Sequence, residues 1–218
     1  MVETSERIKN QLNYFDGTKY VGEVMRHGRG MFYDHDGSIY DGDWYEDQRC
    51  GRGKMLFADG SFYDGQWEGD KMHGHGVFIS VSRDRYEGNF SYGLKSGHGT
   101  MHYYNGNQYD GQWRNDTLWG KGQFSFKNGN HYDGSFVNGL FEGQGTMLFV
   151  GIGVYKGSFA GGNLEGAGRF EYQDGSVYEG DMKEDMKHGF GKFTEPDGVS
   201  CYNGQWRHDL KNGRGTIV

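Results

Sequence analysis

The chain has 218 residues and a formal net charge of −7; this acidic balance, without a basic patch in any window, excludes nucleic acid as the expected partner and disfavours anionic membrane lipid. Glycine accounts for 41 residues and proline for 1, which excludes collagen and proline-rich linkers. Aromatic residues make up 17% of the chain, which is too many for an intrinsically disordered protein.

Residues 1–12 are polar, and we interpret them as an N-terminal extension. They have neither the apolar stretch of a signal peptide nor Gly at position 2 for myristoylation. No apolar run in the chain approaches the roughly 18 residues that span a bilayer, so we expect a cytoplasmic protein. Residues 13–17, Asn-Tyr-Phe-Asp-Gly, read as the end of an incomplete repeat. We expect them to pair with the strand at Tyr20.

Residues 13–218 form one predicted domain that repeats a single unit. A Tyr at position 0 is followed by Gly at +2, an aromatic residue at +4, a polar loop, Gly at +11 and +13, and an apolar residue at +15. The repeats start at Tyr20, Tyr40, Tyr63, Tyr86, Tyr109, Tyr132, Tyr155, Tyr178 and Tyr202. Successive starts lie 20 to 24 residues apart, a period that is typical of repeat architectures.

Each repeat predicts a β-hairpin. Side chains alternate faces along a strand, so Tyr63, Gly65 and Trp67 share one face and the polar residues between them share the other. Asx-Gly dipeptides such as Asp59-Gly60 stand between copies, and such dipeptides reverse strands. The predicted fold is therefore all-β: an elongated, twisted, single antiparallel meander of about 17 strands.

The pattern Tyr-x-Gly-x-Trp followed by Gly-x-Gly resembles the MORN (membrane occupation and recognition nexus) repeat family. It stands here as Tyr40/Gly42/Trp44/Gly51/Gly53, Tyr63/Gly65/Trp67/Gly74/Gly76 and Tyr109/Gly111/Trp113/Gly120/Gly122. The resemblance covers nearly the whole chain and implies a rod of such repeats acting as a protein-binding scaffold in a cytoskeletal, ciliary or axonemal assembly. It places the protein in the cytoplasm, on the cytoskeleton or in a cilium or flagellum, and it implies self-association through the repeat ends.

Two other functions remain open from the resemblance. One is a phospholipid-binding, membrane-associating module, which the net charge of −7 disfavours. The other is the regulatory segment of a larger enzyme, because similar repeats precede catalytic domains in some lysine methyltransferases and lipid kinases. The first predicts binding to acidic liposomes, and the second predicts a catalytic domain elsewhere in the gene product.

The sequence shows no candidate catalytic, cofactor-binding or metal-binding residue, and we expect a protein that is not an enzyme. There is no Gly-Lys-Ser/Thr phosphate loop and no serine in a nucleophile elbow. His73 and His75 flank a turn glycine and read as solvated residues. Cys50 and Cys201 lie in the second and ninth repeats. On an extended rod their Cα atoms would be too far apart for an internal disulfide, and we expect none.

Two candidate partner-binding surfaces emerge. The first is a stripe of apolar residues in the predicted loops, near position +9, which are either a binding surface or local cover over the sheet. Its members are Met72, Leu118, Trp119, Leu140, Phe141 and Leu164. The second is a groove lined by the rings at positions 0 and +4, which are either core or a site for a peptide or helix. Its members are Tyr63, Trp67, Tyr86, Phe90, Tyr109, Trp113, Tyr132, Phe136, Tyr155 and Phe159.

A row of acidic residues is predicted on the polar face, at position +1. It consists of Asp41, Asp64, Glu87, Asp110, Asp133 and Glu179. The row is either a solvated face or a negative strip for a basic partner, and in both cases it argues against docking that face on anionic lipid.

Overall fold

The computed structural model describes residues 10–13, 18–22 and 26–218. In these ranges every regular element is a β-strand, and no helix is long and apolar enough to cross a membrane. The nineteen described strands are β1 (Asn10–Asn13), β2 (Lys19–Gly22), β3 (Gly28–Tyr33), β4 (Ile39–Tyr45), β5 (Gln48–Leu56), β6 (Phe62–Glu68), β7 (Lys71–Ile79), β8 (Arg85–Ser91), β9 (Leu94–His102), β10 (Gln108–Arg114), β11 (Thr117–Ser125), β12 (His131–Val137), β13 (Leu140–Phe149), β14 (Gly153–Ala160), β15 (Asn163–Tyr172), β16 (Val177–Lys183), β17 (Met186–Thr194), β18 (Cys201–Arg207) and β19 (Leu210–Ile217).

The strands fall into two compact units, residues 1–104 and residues 105–218. In the first unit each strand from β1 to β9 pairs antiparallel with the next one in the chain. In the second unit the same holds from β10 to β19. The all-β fold and its antiparallel meander of consecutive hairpins are thus confirmed. The expected strand number was two too low, because the ninth repeat has its return strand β19 and because β1 precedes the first repeat.

The strand at Tyr20 pairs with residues 10–13, whereas we expected residues 13–17. β1 pairs with β2 with Leu12 opposite Tyr20, so residues 10–12, assigned to the polar extension, belong to the sheet. Residues 1–9 and 14–17 lie outside the described residues. The boundary of the repeat domain at residue 13 therefore stays a prediction.

In the second to the ninth repeats, the segment predicted as a polar loop is a tight turn. In the third repeat only Gly69 and Asp70 connect β6 to β7, and both have positive φ, +53° and +65°. Two consecutive residues in this conformation form the type I′ turn that suits the twist of a hairpin. The return strand consequently begins at position +8, and residues expected in a loop lie in a strand instead.

A bulge in each hairpin from the second repeat to the ninth explains the glycine at +11. The register of β6 and β7 shifts between Gly65 and Gln66, so that Gln66 faces His73 while Gly65 faces Gly76. Gly74 sits in this bulge with φ of +56°, and the +11 glycines of the other repeats from the second to the ninth also have positive φ.

The tyrosine at position 0 lies across the glycine pair of its own hairpin. A Cβ on Gly76 would come within 2.5 Å of the hydroxyl oxygen of Tyr63, and one on Gly65 would meet the same hydroxyl. The Tyr63 hydroxyl donates a hydrogen bond of 2.9 Å to the carbonyl of Gln66, at the bulge. The two glycines therefore make space for the tyrosine of the same repeat, and the ring closes over the irregular part of the ladder.

Aromatic contacts join one repeat to the next within each unit. The Tyr63 ring lies 5.2 Å from the Trp67 ring of its own repeat and 5.1 Å from the Phe90 ring of the following one, both edge to face. The Trp67 indole donates a hydrogen bond of 3.1 Å to the carbonyl of Gly53 in the preceding repeat. Edge-to-face pairs contribute about 0.5–1.5 kcal/mol in addition to the energy from the area they bury. This row of rings is therefore the core that packs each repeat against the next.

Candidate protein-binding groove

The rings predicted to line a groove form the core instead. The tyrosines at position 0 from Tyr63 to Tyr155 have no exposed surface, and Trp67, Phe90, Trp113, Phe136 and Phe159 are at most 5% exposed. A ring that packs between two repeats keeps little surface for a ligand. The alternative of a core therefore applies to these rings, and the groove assignment was wrong for all of them but Phe159, which also lines the groove described below.

The predicted loop stripe is also not a stripe of loop residues. Met72, Leu118, Phe141 and Leu164 lie in return strands, each directly opposite the +4 ring of its own repeat. Leu118 and Leu164 are buried, and these apolar residues cover the core, which was the second alternative for them. Leu164 also lines the groove described below.

The remaining members of that stripe separate from one another. The Phe141 ring stacks on Tyr132 at 4.0 Å. Leu140 is 51% exposed, and Trp119 is half-buried with the Arg114 guanidinium 4.9 Å from its ring centre. The six residues therefore do not make one continuous apolar surface.

Position +9 decides how the apolar face of each hairpin is covered. In the second repeat it carries Arg49, whose guanidinium lies 4.8 Å from the centre of the Trp67 ring and forms a 3.0 Å ion pair with Asp70. Arg26, at +6 of the shorter first repeat, lies 5.0 Å from the Trp44 ring. Guanidinium groups over ring faces gain a cation–π attraction and give the first two repeats a polar cover over these rings.

The apolar face of the second unit instead opens into a groove with a volume of about 540 Å³. Phe149, Tyr172 and Lys187 are half-buried wall residues, and Ile152 stands at its edge with 53% of its surface exposed. The complete lining is Met147, Phe149, Ile152, Phe159, Gly162, Leu164, Phe170, Tyr172, Met182, Asp185, Lys187 and Asp209. A concave, mostly apolar site of this volume with a few polar groups has the character of a binding site.

Two departures from the repeat pattern coincide with this groove. Met182 stands at +4 of the eighth repeat, where the second to seventh and the ninth repeats have Trp or Phe. The Asx-Gly turn is missing before Tyr155, and the segment that replaces it contributes Ile152. A narrower side chain in the core row and an apolar residue in the turn both favour an open apolar surface at this place.

The groove residues were only partly visible in the sequence. Phe149 and Tyr172 occur at +17, a position that the strand alternation assigns to the apolar face. Met182 and Lys187 were not singled out, although Met182 is not aromatic like the residues at +4 of the neighbouring repeats. The two-residue turns at Asn138-Gly139 and Gly161-Gly162 are strong hairpin signals, and they would have moved the +9 residues from loop to strand.

Lys187 is the cation inside the groove. Its ammonium lies 4.9 Å from the centre of the Phe193 ring and 5.2 Å from that of Trp206. Burial lowers the pKa of Lys187, and the carboxylate of Asp209 acts in the opposite direction. The aspartate also accepts a hydrogen bond of 2.8 Å from the backbone N–H of Lys187.

The acidic residues at +1 do not form an uninterrupted negative strip. Lys54 pairs with Asp64 at 3.1 Å, Arg85 pairs with Glu87 at 2.6 Å, and Arg169 pairs with Glu179. Cations on the same or the adjacent strand thus interrupt the row, which favours the solvated face over a basic-partner site.

The histidines and cysteines have ordinary surroundings. Nε2 of His73 lies 3.3 Å from a carboxylate oxygen of Glu68, and its ring contacts Tyr92. Cys50 and Cys201 are free and half-buried. In the part of the chain that the structure describes, no three His, Cys, Asp or Glu side chains are grouped as metal ligands.

A comparison with protein families matches the MORN repeat. It covers nine segments, residues 25–39, 40–62, 63–85, 86–108, 109–131, 132–151, 155–177, 178–200 and 202–218. The later eight begin at the predicted tyrosines, whereas the first begins at residue 25 and not at Tyr20. These segments span most of the chain, and the chain belongs to the MORN repeat family.

Solved structures show the same fold in distant proteins. The wild-type TCP10 domain of Danio rerio CPAP is 11% identical, with a TM-score of 0.52 over 96% of this chain and 100% of that one. The same domain in complex with a peptide of Danio rerio STIL is 10% identical, with a TM-score of 0.50 over 90% of this chain and 83% of that one. A search of curated proteins found no match.

Proposed function

We propose that this MORN-repeat protein is a non-enzymatic scaffold that binds a segment of a partner protein in the groove of its second unit. The observation that carries the proposal is the open apolar concavity between Phe149, Tyr172 and Lys187, at the place where the core row has Met182. Large apolar surface that is left open in a soluble fold tends to mark an interaction site. The TCP10 domain of CPAP, which shares the fold, is solved with a bound STIL peptide, and this supports a peptide as the ligand.

We also propose that the partners belong to the cytoskeleton or to a cilium or flagellum. Membership of the MORN repeat family supports this placement, as it supports self-association through the repeat ends.

Affinity capture from the cells of origin tests the groove. The groove variant is Phe149→Ser with Ile152→Ser, and the matched control is Phe57→Ser with Val81→Ser. Phe57 stands at +17 and is half-buried like Phe149, and Val81 is an exposed aliphatic residue in an inter-repeat turn that lacks Asx-Gly, like Ile152. The control therefore reproduces the chemical change in the first unit.

We expect mass spectrometry to recover partners with the wild type and the control and to lose them, by about tenfold, with the groove variant. Circular dichroism and urea midpoints confirm that both variants remain folded. Equal recovery with all three proteins would contradict the proposed site. Cytoskeletal or ciliary proteins among those lost would support the cellular placement, and proteins of another compartment would contradict it.

A further inference from the structure

The charges around the groove are mostly negative. Asp185 and Asp209 line it, and Asp174 lines a neighbouring depression of about 460 Å³ that shares Ile152 and Tyr172 with the groove. Taken together, the described residues of the two linings include three aspartates and one lysine. The rim of this apolar site therefore carries an excess of negative charge.

Hydrogen bonds from the protein's own backbone hold these carboxylates at the rim. Oδ1 of Asp185 accepts the N–H of Leu164 at 2.7 Å. In the next repeat, Oδ1 of Asp209 accepts the N–H of Lys187 in the same way. Oδ1 of Asp174 accepts bonds from both the N–H and the hydroxyl of Ser176, which hold the pKa of Asp174 below its usual range. The three groups are thus fixed in position by the fold itself.

Lys187, the one cation of these linings, balances at most one of the three carboxylates. The ammonium of Lys187 lies 4.9 to 5.8 Å from the centres of the rings of Tyr172, Tyr178, Phe193 and Trp206. Burial raises the pKa of Tyr172 to about 12, and the charges of Asp209 and Asp174 act in the same direction. Both carboxylates therefore act on the wall at the mouth of the groove.

We propose that the occupant of the groove is a short segment of a partner protein in which a lysine or arginine adjoins a large apolar side chain. The apolar side chain fills the space between Phe149 and Tyr172, and the basic one pairs with Asp174 and Asp209. This inference rests on the proposed function and adds the chemistry of the partner. Acidic or phosphate-bearing segments would be repelled by the same rim.

A displayed library of random short peptides, selected on the full chain, tests this chemistry. The charge variant is Asp174→Asn with Asp209→Asn, because an amide oxygen still accepts the backbone hydrogen bonds. The matched control is Asp59→Asn with Asp70→Asn in the first unit. Asp59 binds its serine as Asp174 does, and Asp70 accepts the backbone N–H of Arg49 as Asp209 accepts that of Lys187.

We expect the selected peptides to be enriched in a basic residue next to an aromatic or aliphatic one. Their dissociation constants, measured by fluorescence polarisation, should rise about fivefold with the charge variant and stay unchanged with the control, since rim ion pairs contribute modestly. Replacing the basic residue of the peptide by Gln should cause the same loss, and it should cause no further loss with the charge variant.

Other outcomes overturn the inference in distinguishable ways. Peptides without a basic residue whose binding is lost with Phe149→Ser and Ile152→Ser would leave the groove as a binding site and remove its proposed charge preference. If the selected peptides bound equally to the groove variant and the charge variant, or if no peptide were selected, both the binding site and its charge preference would be contradicted. A wild-type dimer that the groove variant disperses would identify a second copy of the chain as the occupant.

Discussion

At the scale of single residues, the same hydrophobic side chain has opposite roles at adjacent positions of a return strand. Leu118 is at +9, opposite Trp113, and is 9% exposed, whereas Leu140 is at +8 and is 51% exposed. Side chains on a strand alternate faces, so one step along the chain separates core from solvent. Apolar character alone did not distinguish the two.

This difference predicts unequal effects of one substitution. Leu118→Ser should lower the free energy of unfolding by about 2–4 kcal/mol, because it leaves a cavity and buries a hydroxyl. Leu140→Ser should change it by less than about 0.5 kcal/mol. Urea unfolding followed by circular dichroism measures both, and similar midpoints for the two variants would contradict the burial that we describe.

At the scale of elements, the turn of one hairpin supports the return strand of the preceding one. The N–H of Asp185 donates to the carbonyl of Leu164 at 3.2 Å, while the Asp185 carboxylate accepts the N–H of the same leucine. Where glycine replaces the aspartate only the first bond forms: the N–H of Gly139 donates to the carbonyl of Leu118 at 3.0 Å. The side chain at position +7 thus sets the strength of contact between consecutive turns.

Gly139→Asp should therefore stabilise the second unit. Gly139 has φ of +80°, and a Cβ there would meet no atom within 4 Å, while Asp185 adopts φ of +65° at the equivalent place. The added carboxylate can accept the N–H of Leu118, and we expect a gain of about 0.5–1 kcal/mol in the free energy of unfolding.

Gly139→Ala is the control for this prediction. Alanine at positive φ is strained by about 1 kcal/mol and brings no acceptor, so its urea midpoint should fall below that of the wild type. If the aspartate variant were no more stable than the alanine variant, the inter-turn hydrogen bond would not contribute as proposed.

At the scale of the whole molecule, the buried tyrosines make stability depend on alkaline pH. Burial raises the pKa of Tyr132, Tyr155 and Tyr172 to about 12, and it also raises the pKa of Tyr40, Tyr63 and Tyr178. In the unfolded chain a tyrosine ionises near pH 10. The folded state therefore holds these protons more tightly than the unfolded state, and the free energy of unfolding falls as pH rises above about 10.

We expect full stability below about pH 10 and cooperative unfolding as pH rises toward about 12. Tyrosinate absorbance should rise at higher pH in the folded protein than in the urea-denatured chain, and the circular dichroism signal should be lost in the same interval as the late absorbance change. Identical absorbance titrations for folded and denatured protein would contradict the burial of the tyrosine row.

The repeat unit and the alternation of faces along its strands could be predicted because they depend on local sequence. The alternation of Tyr63, Gly65 and Trp67 with polar residues already separates the two faces of a strand, and glycine at +11 already marks a positive φ. The MORN family could be recognised for the same reason, since its pattern is contained in short segments that recur in register.

The binding site could not be predicted in this way because burial depends on contacts between repeats. Whether Tyr63 is core or groove depends on Phe90, which lies 27 residues later in the chain and reaches the ring only after two hairpins have folded side by side. The groove arises likewise from small departures, Met182 and Ile152, in neighbouring hairpins. The sequence thus determined the repeat and the faces of its strands through local alternation, and only the tertiary structure decided which apolar residues remain open, because packing of consecutive hairpins covers most of them.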